Sequence, residues 1–451
     1  MRSPHPSHRR VHVDTRALSR KREREFSPLP LAGEVAHRAG EGCSSPLPLA
    51  GEVARRAGER CSSPLQLAGE VARRAGEGCS SPLPLAGEVA RRSGEGLLLL
   101  LFLLFLSVLP VANAEVAYPA VVPGVELQLP HDEGAHPDYR LEWWYVTGWV
   151  KDEQQRSHGF QVTFFRVRPG IAEQNPSKFA PRQVLFAHAA IADSLSGRLR
   201  HAERSARAGF GLAEAKEGVT DVRLDDWSLR QVADGRYHAV VKGEDFSIAL
   251  DLETRQPPLL QGDRGYSRKG PDPRAASHYY SLPHLKVAGE MTIDGRPQKV
   301  SGEAWFDHEW SSDYVDVDAQ GWDWMGINLA DGGSLMAFRM RDRHGGERWA
   351  AATLRSADGS VQVFGPDAVE WMPGRTWKSP RTGVTYPVQW RVRVGDRTYA
   401  VEPLMQDAEL DSRASTGTIY WEGPVTLRSS DGATAGRGYL ELTGYAGKME
   451  M

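Results

Sequence analysis

The chain is long enough for two domains, and its composition excludes several kinds of site. It has 451 residues, with 55 basic and 58 acidic side chains and a net charge of −3. Its three cysteines, Cys43, Cys61 and Cys79, lie near the start, so the rest of the chain can form neither disulfides nor zinc–thiolate sites. After residue 114 the net charge is −8, which disfavours nucleic acid or an anionic membrane surface as a partner.

The first 88 residues form a low-complexity segment. An 18-residue unit begins at Ser27 and recurs, nearly unchanged, at Ser45, Ser63 and Ser81. Beside its prolines and glycines the unit holds too few apolar residues for a packed core. We expect residues 1–88 to be disordered or not natively translated.

Residues 89–114 have the pattern of a secretory signal peptide. The apolar run Leu97–Leu106 is followed by Pro110 and by a small-x-small triplet that ends at Ala114. An apolar run of this length is short for a membrane span. Under this interpretation Val89 would be a non-ATG start. We therefore expect an exported protein, periplasmic or secreted, with no membrane span in its mature form.

The rest of the chain alternates apolar and polar residues with the period of β-strands. Phe246–Leu252 shows this alternation, and pairs such as Asp294-Gly295 are typical of tight hairpins. No stretch keeps a long helical period. We predict an all-β fold of two antiparallel β-barrels in tandem, because closure removes exposed strand edges. The predicted domains are residues 115–312 and 313–451.

The segment Gly302–Trp324 is the richest in reactive and aromatic side chains. Indole rings exclude water, and a carboxyl or imidazole group among them has a strongly shifted pKa. Strand alternation predicts that His308 and Asp323 face a core, while Asp307 and Glu309 point away from it. A His308–Asp323 pair would serve acid–base chemistry or ligand orientation. The alternative is a buried polar network that sets the strand register.

A second cluster stands where the first strand begins. Glu142 directly precedes Trp143, Trp144 and Tyr145. This arrangement predicts a ligand mouth with one carboxylate and three aromatic rings. The alternative is a loop that enters the strand, with the aromatic rings as a barrel floor.

Metal and nucleotide chemistry have little support in the sequence. His131, His136 and His308 could bind a metal ion, but their spacing matches no strong signature. A glycine-rich phosphate loop and a serine nucleophile elbow are both missing from the sequence. We predict no metal and no cofactor.

These segments resemble the AttH/CrtC-type lipocalin-like family, which includes the carotenoid 1,2-hydratases. The matching stretches are His136–Tyr139, Glu142–Gly148, Tyr280–Pro283, Val300–Ser311, Gly321–Trp324, Tyr420–Val425 and Gly438–Tyr445. The resemblance implies two packed lipocalin-like barrels with a cavity for an apolar ligand near their interface. It also implies a secreted partner of an ABC-type export system.

The hydratase members of that family add water to a terminal isoprenoid double bond. His308 and Trp310 match the His-x-Trp element that is linked to this activity. Where the hydratases have a Tyr/Asp pair thought to protonate the substrate, this chain reads Leu335–Met340, without a carboxylate. The tryptophans could stabilise a carbocation by cation–π attraction.

Three functions remain open at this point. We favour a secreted lipocalin-like protein that binds a hydrophobic, isoprenoid or lipid-like molecule, with an ABC-type transporter permease as a further partner. The alternative is a carotenoid 1,2-hydratase-like enzyme, and a metal-dependent hydrolase is a distant third. The candidate catalytic residues are His308, Asp323, Asp307 and Trp310. The candidate ligand-binding residues are Glu142, Trp143, Trp144, Tyr145, Tyr280, Trp305, Trp322 and Trp324.

Overall fold

The structure, a computed structural model, describes residues 116–171 and 173–448. The repeats, the predicted signal peptide and the three cysteines lie outside the described residues. Within the described ranges the chain forms β-strands, two 3₁₀ helices (His131–Glu133 and Pro366–Ala368) and no α-helix. The predicted all-β fold class is confirmed. No helix in these ranges is long and apolar enough to cross a membrane.

The first sheet is antiparallel and has thirteen strands in the described part of the chain. They are β1 (Leu141–Asp152), β2 (Ser157–Val167), β3 (Val184–Asp193), β4 (Arg198–Arg207), β5 (Ala213–Ala215), β6 (Asp221–Leu224), β7 (Trp227–Ala233), β8 (Arg236–Lys242), β9 (Phe246–Glu253), β10 (Leu259–Leu260), β11 (Tyr266–Arg268), β12 (Ala276–Ile293) and β13 (Arg296–Ser311). Their order is β4-β3-β2-β1-β13-β12-β9-β8-β7-β6-β5, with β10 and β11 paired to β12. The sheet curls until β3 and β4 contact β5 and β6, which nearly closes a barrel.

The second sheet is also antiparallel and has ten strands among the described residues. They are β14 (Ala319–Leu329), β15 (Ser334–Asp342), β16 (Glu347–Arg355), β17 (Val361–Phe364), β18 (Val369–Pro373), β21 (Trp390–Val394), β22 (Arg397–Pro403), β23 (Glu409–Ser412), β24 (Thr418–Arg428) and β25 (Thr434–Leu442). Their order is β17-β16-β15-β14-β25-β24-β22-β21-β18, with β23 paired to β24. This second barrel curls until β16 contacts β18, and β19 (Trp377–Lys378) pairs separately with β20 (Thr385–Tyr386).

Each barrel has its own apolar core, because successive side chains of a strand point to opposite faces. Trp144 and Phe306 lie in the core of the first barrel, and Trp390 and Val425 lie in that of the second. Burying one large apolar side chain contributes about 1.5–3 kcal/mol.

A third apolar cluster lies between the two barrels. It contains Tyr145, Trp305 and Trp324, on strands of both sheets. Gly326 makes room there, since a Cβ atom at this position would lie 2.6 Å from the Trp324 ring and 2.9 Å from the Trp305 ring. The strands at this contact are therefore buried on both faces, and the face between the barrels holds the site described below.

Candidate active site

Strand β13 carries two sets of side chains into two different interiors. His308 faces the core of the first barrel, next to Phe306 and Trp310. Asp307 and Glu309 face the opposite way, as predicted, but they are only 2% and 3% exposed. The second barrel covers this outer face. The two carboxyls therefore point away from the first core and are still shielded from solvent.

A cavity of about 280 Å³ lies on this covered face. Its walls are largely aromatic. Six of the rings belong to Trp143, Tyr145, Tyr279, Tyr314, Trp322 and Trp324. The volume is near the lower end for ligand pockets, so it suits a small apolar molecule or one end of a longer one.

Asp307 is one of the carboxyl groups on the first-barrel wall. Its Oδ1 accepts hydrogen bonds from Ser281 Oγ at 2.5 Å and from Trp305 Nε1 at 2.7 Å, and the Tyr279 hydroxyl also bonds to this carboxyl. Burial raises the pKa of Asp307 to about 7, although these hydrogen bonds act to lower it. Near neutral pH this group can therefore both give and take a proton.

Glu309, on the same wall, has a cationic partner. Lys269 Nζ lies 2.7 Å from Glu309 Oε1, and Lys269 is 1% exposed. Rings of Tyr279, Tyr314 and Phe338 surround the ammonium group at 4.5–5.2 Å. Burial raises the pKa of Glu309, and the charge of Lys269 only partly offsets this shift. Burial likewise lowers the pKa of Lys269, and the charge of Glu309 only partly offsets it.

Two more carboxyls form the second-barrel wall. Glu422 on β24 and Glu441 on β25 are directly opposite residues, and both line the cavity. The Tyr145 hydroxyl donates a hydrogen bond to Glu422 Oε1. Burial and the neighbouring Glu441 raise the pKa of Glu422 well above its usual range. Burial likewise raises the pKa of Glu441 to about 8, against a hydrogen bond from Trp322.

His308 belongs to a polar network inside the first barrel. Its Nε2–H donates to Glu142 Oε1 at 2.9 Å, and its Nδ1 lies 3.2 Å from the Tyr280 hydroxyl. His136 Nδ1 and Arg166 Nε donate to the same Glu142 carboxylate at 2.8 and 2.7 Å. Burial lowers the pKa of His308, so its ring is neutral and Nδ1 accepts from Tyr280.

This network also contains the one group of potential metal ligands found among the described residues. Donor atoms of His136, Glu142 and His308 lie within 4.8 Å of one another. Each of them already takes part in the hydrogen bonds just described, and the Arg166 guanidinium balances the charge of Glu142. These contacts account for the arrangement without a metal ion.

Asp323 faces a core, as predicted, but it is the core of the second barrel. Its Oδ2 lies 2.6 Å from Arg339 Nε and 3.1 Å from Arg341 Nε, and Tyr445 donates to Oδ1 at 2.9 Å. The predicted His308–Asp323 pair is therefore wrong, because the two side chains point into the interiors of different barrels.

The predicted site residues divide into two groups. Those that line the cavity are Asp307, Glu142, Trp143, Tyr145, Trp322 and Trp324. Those outside its lining are His308, Trp310, Trp144 and Tyr280 in the first barrel, Trp305 beside Asp307, and Asp323 in the second barrel.

The prediction from sequence missed Glu422 and Glu441. A signal for the two glutamates was available, since each interrupts an apolar strand: Glu422 follows Trp421, and Glu441 stands between Leu440 and Leu442. Their shared direction toward the first barrel depends on strand pairing, which alternation alone does not reveal.

Fold and site together define a class of protein: two lipocalin-like barrels in tandem that enclose an aromatic, acid-bearing cavity between them. The chain belongs to the AttH-like family, whose model matches residues 120–445. The resemblance drawn from the sequence motifs is thus confirmed.

Two of the crystal structures that are similar to this chain show the range of identity. An AttH protein from Nitrosomonas europaea is 49% identical, with a TM-score of 0.69, over 72% of this chain and 99% of its own. Kievitone hydratase from Nectria haematococca is 14% identical, with a TM-score of 0.55, over 73% of this chain and 96% of its own. At that identity the second similarity establishes the fold alone. A search of curated proteins gives no significant match.

Proposed function

We propose that this protein is a hydratase-type enzyme that adds water to a carbon–carbon double bond of an apolar molecule bound between the barrels. The observation that carries the proposal is Asp307, a buried carboxyl group in an aromatic cavity with its pKa raised to about 7. A general acid is most effective when its pKa lies near the working pH.

The reaction needs one proton donor and one water molecule. The π electrons of the alkene take the proton of Asp307 to form a C–H bond, which leaves a carbocation and the Asp307 carboxylate. A water oxygen then forms the C–O bond and loses a proton to that carboxylate. The net change is the addition of one water, and Asp307 ends protonated, as it began.

The surroundings of Asp307 suit these steps. Indole and phenol rings of Trp322, Trp324 and Tyr145 line the same cavity, and aromatic faces attract a cation within about 6 Å. The hydrogen bonds from Ser281, Trp305 and Tyr279 stabilise the carboxylate that forms when Asp307 gives up its proton. Kievitone hydratase is a hydratase by name, so this fold is compatible with such a reaction.

His308 acts in this proposal as a positioning residue. It reaches the cavity only through Glu142, which accepts its hydrogen bond and also lines the cavity. The resemblance to carotenoid hydratases links the His-x-Trp pair to hydration. His308 can affect the cavity through its hydrogen bond to Glu142.

One observation favours a second candidate, a binding protein without turnover. Neither His308 nor Trp310 lines the cavity, although the family resemblance links both to hydration. In this alternative the protein holds a hydrophobic molecule outside the cytoplasm, beside an ABC-type transporter permease.

Mass spectrometry separates the two candidates. The protein is incubated with terminal isoprenoid alkenes and longer polyenes, and the products are examined for a mass gain of one water. We expect the wild-type protein to turn over the alkene. Asp307→Asn should abolish this turnover, and the control Asp251→Asn, at an exposed site, should leave it unchanged. Tight ligand binding without any mass gain would instead support the binding protein.

A further inference from the structure

The acidic pair on the second-barrel wall has an unfilled hydrogen-bonding position. Glu422 is 1% exposed, and its Oε1 accepts from Tyr145. Its Oε2 has no hydrogen-bond partner among the described residues. Glu441 stands directly across from it on β25, and opposite residues of an antiparallel pair have Cβ atoms about 5 Å apart. A buried polar oxygen without a partner is costly, and a ligand that pairs with it removes that cost.

The basic side chains around the cavity already have partners. Arg166, in the cavity lining, is bonded to Glu142, and Lys269 is bonded to Glu309. His188 also lines the cavity, but burial lowers its pKa to about 3, so it is neutral. The described side chains therefore leave the pair of glutamates without a positive charge of its own.

Aromatic rings of the same cavity lie at right angles to one another. The centroids of Trp143 and Tyr314 are 4.8 Å apart with an interplanar angle of 88°, and those of Tyr145 and Trp324 are 5.4 Å apart at 87°. Such pairs turn ring faces in several directions. Aromatic faces attract organic cations, and cages of this type recognise quaternary ammonium groups.

We propose that the inter-barrel cavity selects a ligand with a cationic centre, an alkylammonium group on an apolar body, and that it seats the cation between the Glu422–Glu441 pair and the indole faces. A cation taken out of water needs an opposite charge and close polar contacts, and the glutamates supply both. The aromatic walls hold the apolar body. The inference rests on the proposed function because it uses the same cavity, but it requires no turnover.

Proton release is the signature of this binding. Burial raises the pKa of Glu441 to about 8, so this group carries a proton at pH 7. Burial and the neighbouring Glu441 also raise the pKa of Glu422 well above its usual range. A cation stabilises the carboxylate form and lowers the pKa of the pair. Its binding therefore expels a proton, whereas a neutral ligand of the same shape expels none.

Other titratable groups face the pair and must be separated from it. Tyr145, Tyr420 and Tyr439 stay neutral, because burial raises their pKa values well above 10. Asp307 and Glu309 approach from β13, and both act on Glu441. Variants of the glutamates distinguish the pair from Asp307.

Calorimetry of the full-length protein tests the inference with octylammonium, whose N–H groups can donate to Glu422 Oε2, and with its neutral counterpart 1-octanol. Titrations at pH 7 in phosphate and in Tris, two buffers of different ionisation enthalpy, report the protons released. We expect the ammonium probe to bind about tenfold more tightly than octanol, with proton release for the ammonium probe only. Glu422→Gln with Glu441→Gln should remove this preference and the proton release while octanol binding persists. Glu290→Gln, on an exposed strand position, is the matched control.

Equal affinity for the two probes, or ammonium binding without proton release, would overturn the inference. If the double variant does not fold, the wild-type protein still decides, since ammonium binding should tighten from pH 6 to pH 9 while octanol binding stays constant. A protein that binds ammonium but hydrates no alkene contradicts the proposed function only. A protein that hydrates alkenes without preferring the cation contradicts this inference only.

Discussion

Asp307 and His308 are consecutive in the sequence, yet their side chains lie in two different interiors. His308 bonds to Glu142 inside the first barrel, and Asp307 faces the cavity between the barrels. The two residues therefore have different roles. Asp307 is placed to transfer a proton to a ligand, while His308 bonds to Glu142, whose side chain lines the cavity.

Replacement of Asp307 by asparagine should remove activity and keep the fold. Asparagine retains an oxygen for the bonds from Ser281 and Trp305 but cannot donate an acidic proton. We expect kcat for hydration to fall by about 10² to 10⁴, the usual contribution of a general acid. In the wild-type protein the rate should decline as the pH rises through about 7, because the acid form is lost. A flat wild-type profile above pH 7 would contradict Asp307 as the acid.

Asp307 should also make the free energy of unfolding depend on pH. Its pKa is raised from 3.8 to about 7 in the folded state, so its contribution is fully present below pH 4 and is lost as the pH rises through about 7. The loss is on the order of 4 kcal/mol, since one pKa unit is about 1.4 kcal/mol. Urea denaturation of wild type and Asp307→Asn at pH 4 and pH 8 measures it. Asp307→Asn should be more stable relative to wild type at pH 8 than at pH 4. If the free energies of unfolding of the two proteins change in parallel with pH, the raised pKa of Asp307 is refuted.

The buried Lys269–Glu309 pair should behave as a unit. Lys269→Met leaves the Glu309 carboxylate buried without its cation, which costs about 3–5 kcal/mol. Addition of Glu309→Gln should recover much of that loss, because no unpaired charge remains. A double-mutant cycle in urea measures the coupling energy, and additive losses would show that the two side chains do not depend on each other.

A methyl group at Gly326 should disturb the contact between the barrels. The added Cβ would lie 2.6 Å from the Trp324 ring and 2.9 Å from the Trp305 ring, closer than packing allows. We expect Gly326→Ala to cost about 1–3 kcal/mol, the range for overpacked cores. Thermal denaturation measures the loss. Gly365→Ala tests the alternative that any glycine replacement is harmful, since a Cβ atom there would meet no atom within 4 Å and the φ of Gly365 is −89°. This control should leave the stability nearly unchanged.

Much of the fold follows from local pattern. Alternation along Val300–Trp310 correctly places His308 in one core and Asp307 on the other face, because the direction of a strand side chain depends only on its position in the strand. The same reasoning correctly turns Asp323 toward a core. Alternation does not reveal which side chain each of these groups contacts, and the prediction therefore wrongly paired His308 with Asp323.

The sequence by itself determined the all-β class, the side of each strand on which a residue lies, and the family motifs that mark the chain. Tertiary structure decided the contacts, because they depend on which distant strands become neighbours. Glu142 and His308 are 166 residues apart and meet because β1 pairs with β13. Tyr145 and Glu422 are 277 residues apart and meet because the second barrel packs on the outer face of the first. That packing buries part of the outer face of the first barrel, and this burial raises the pKa of Asp307.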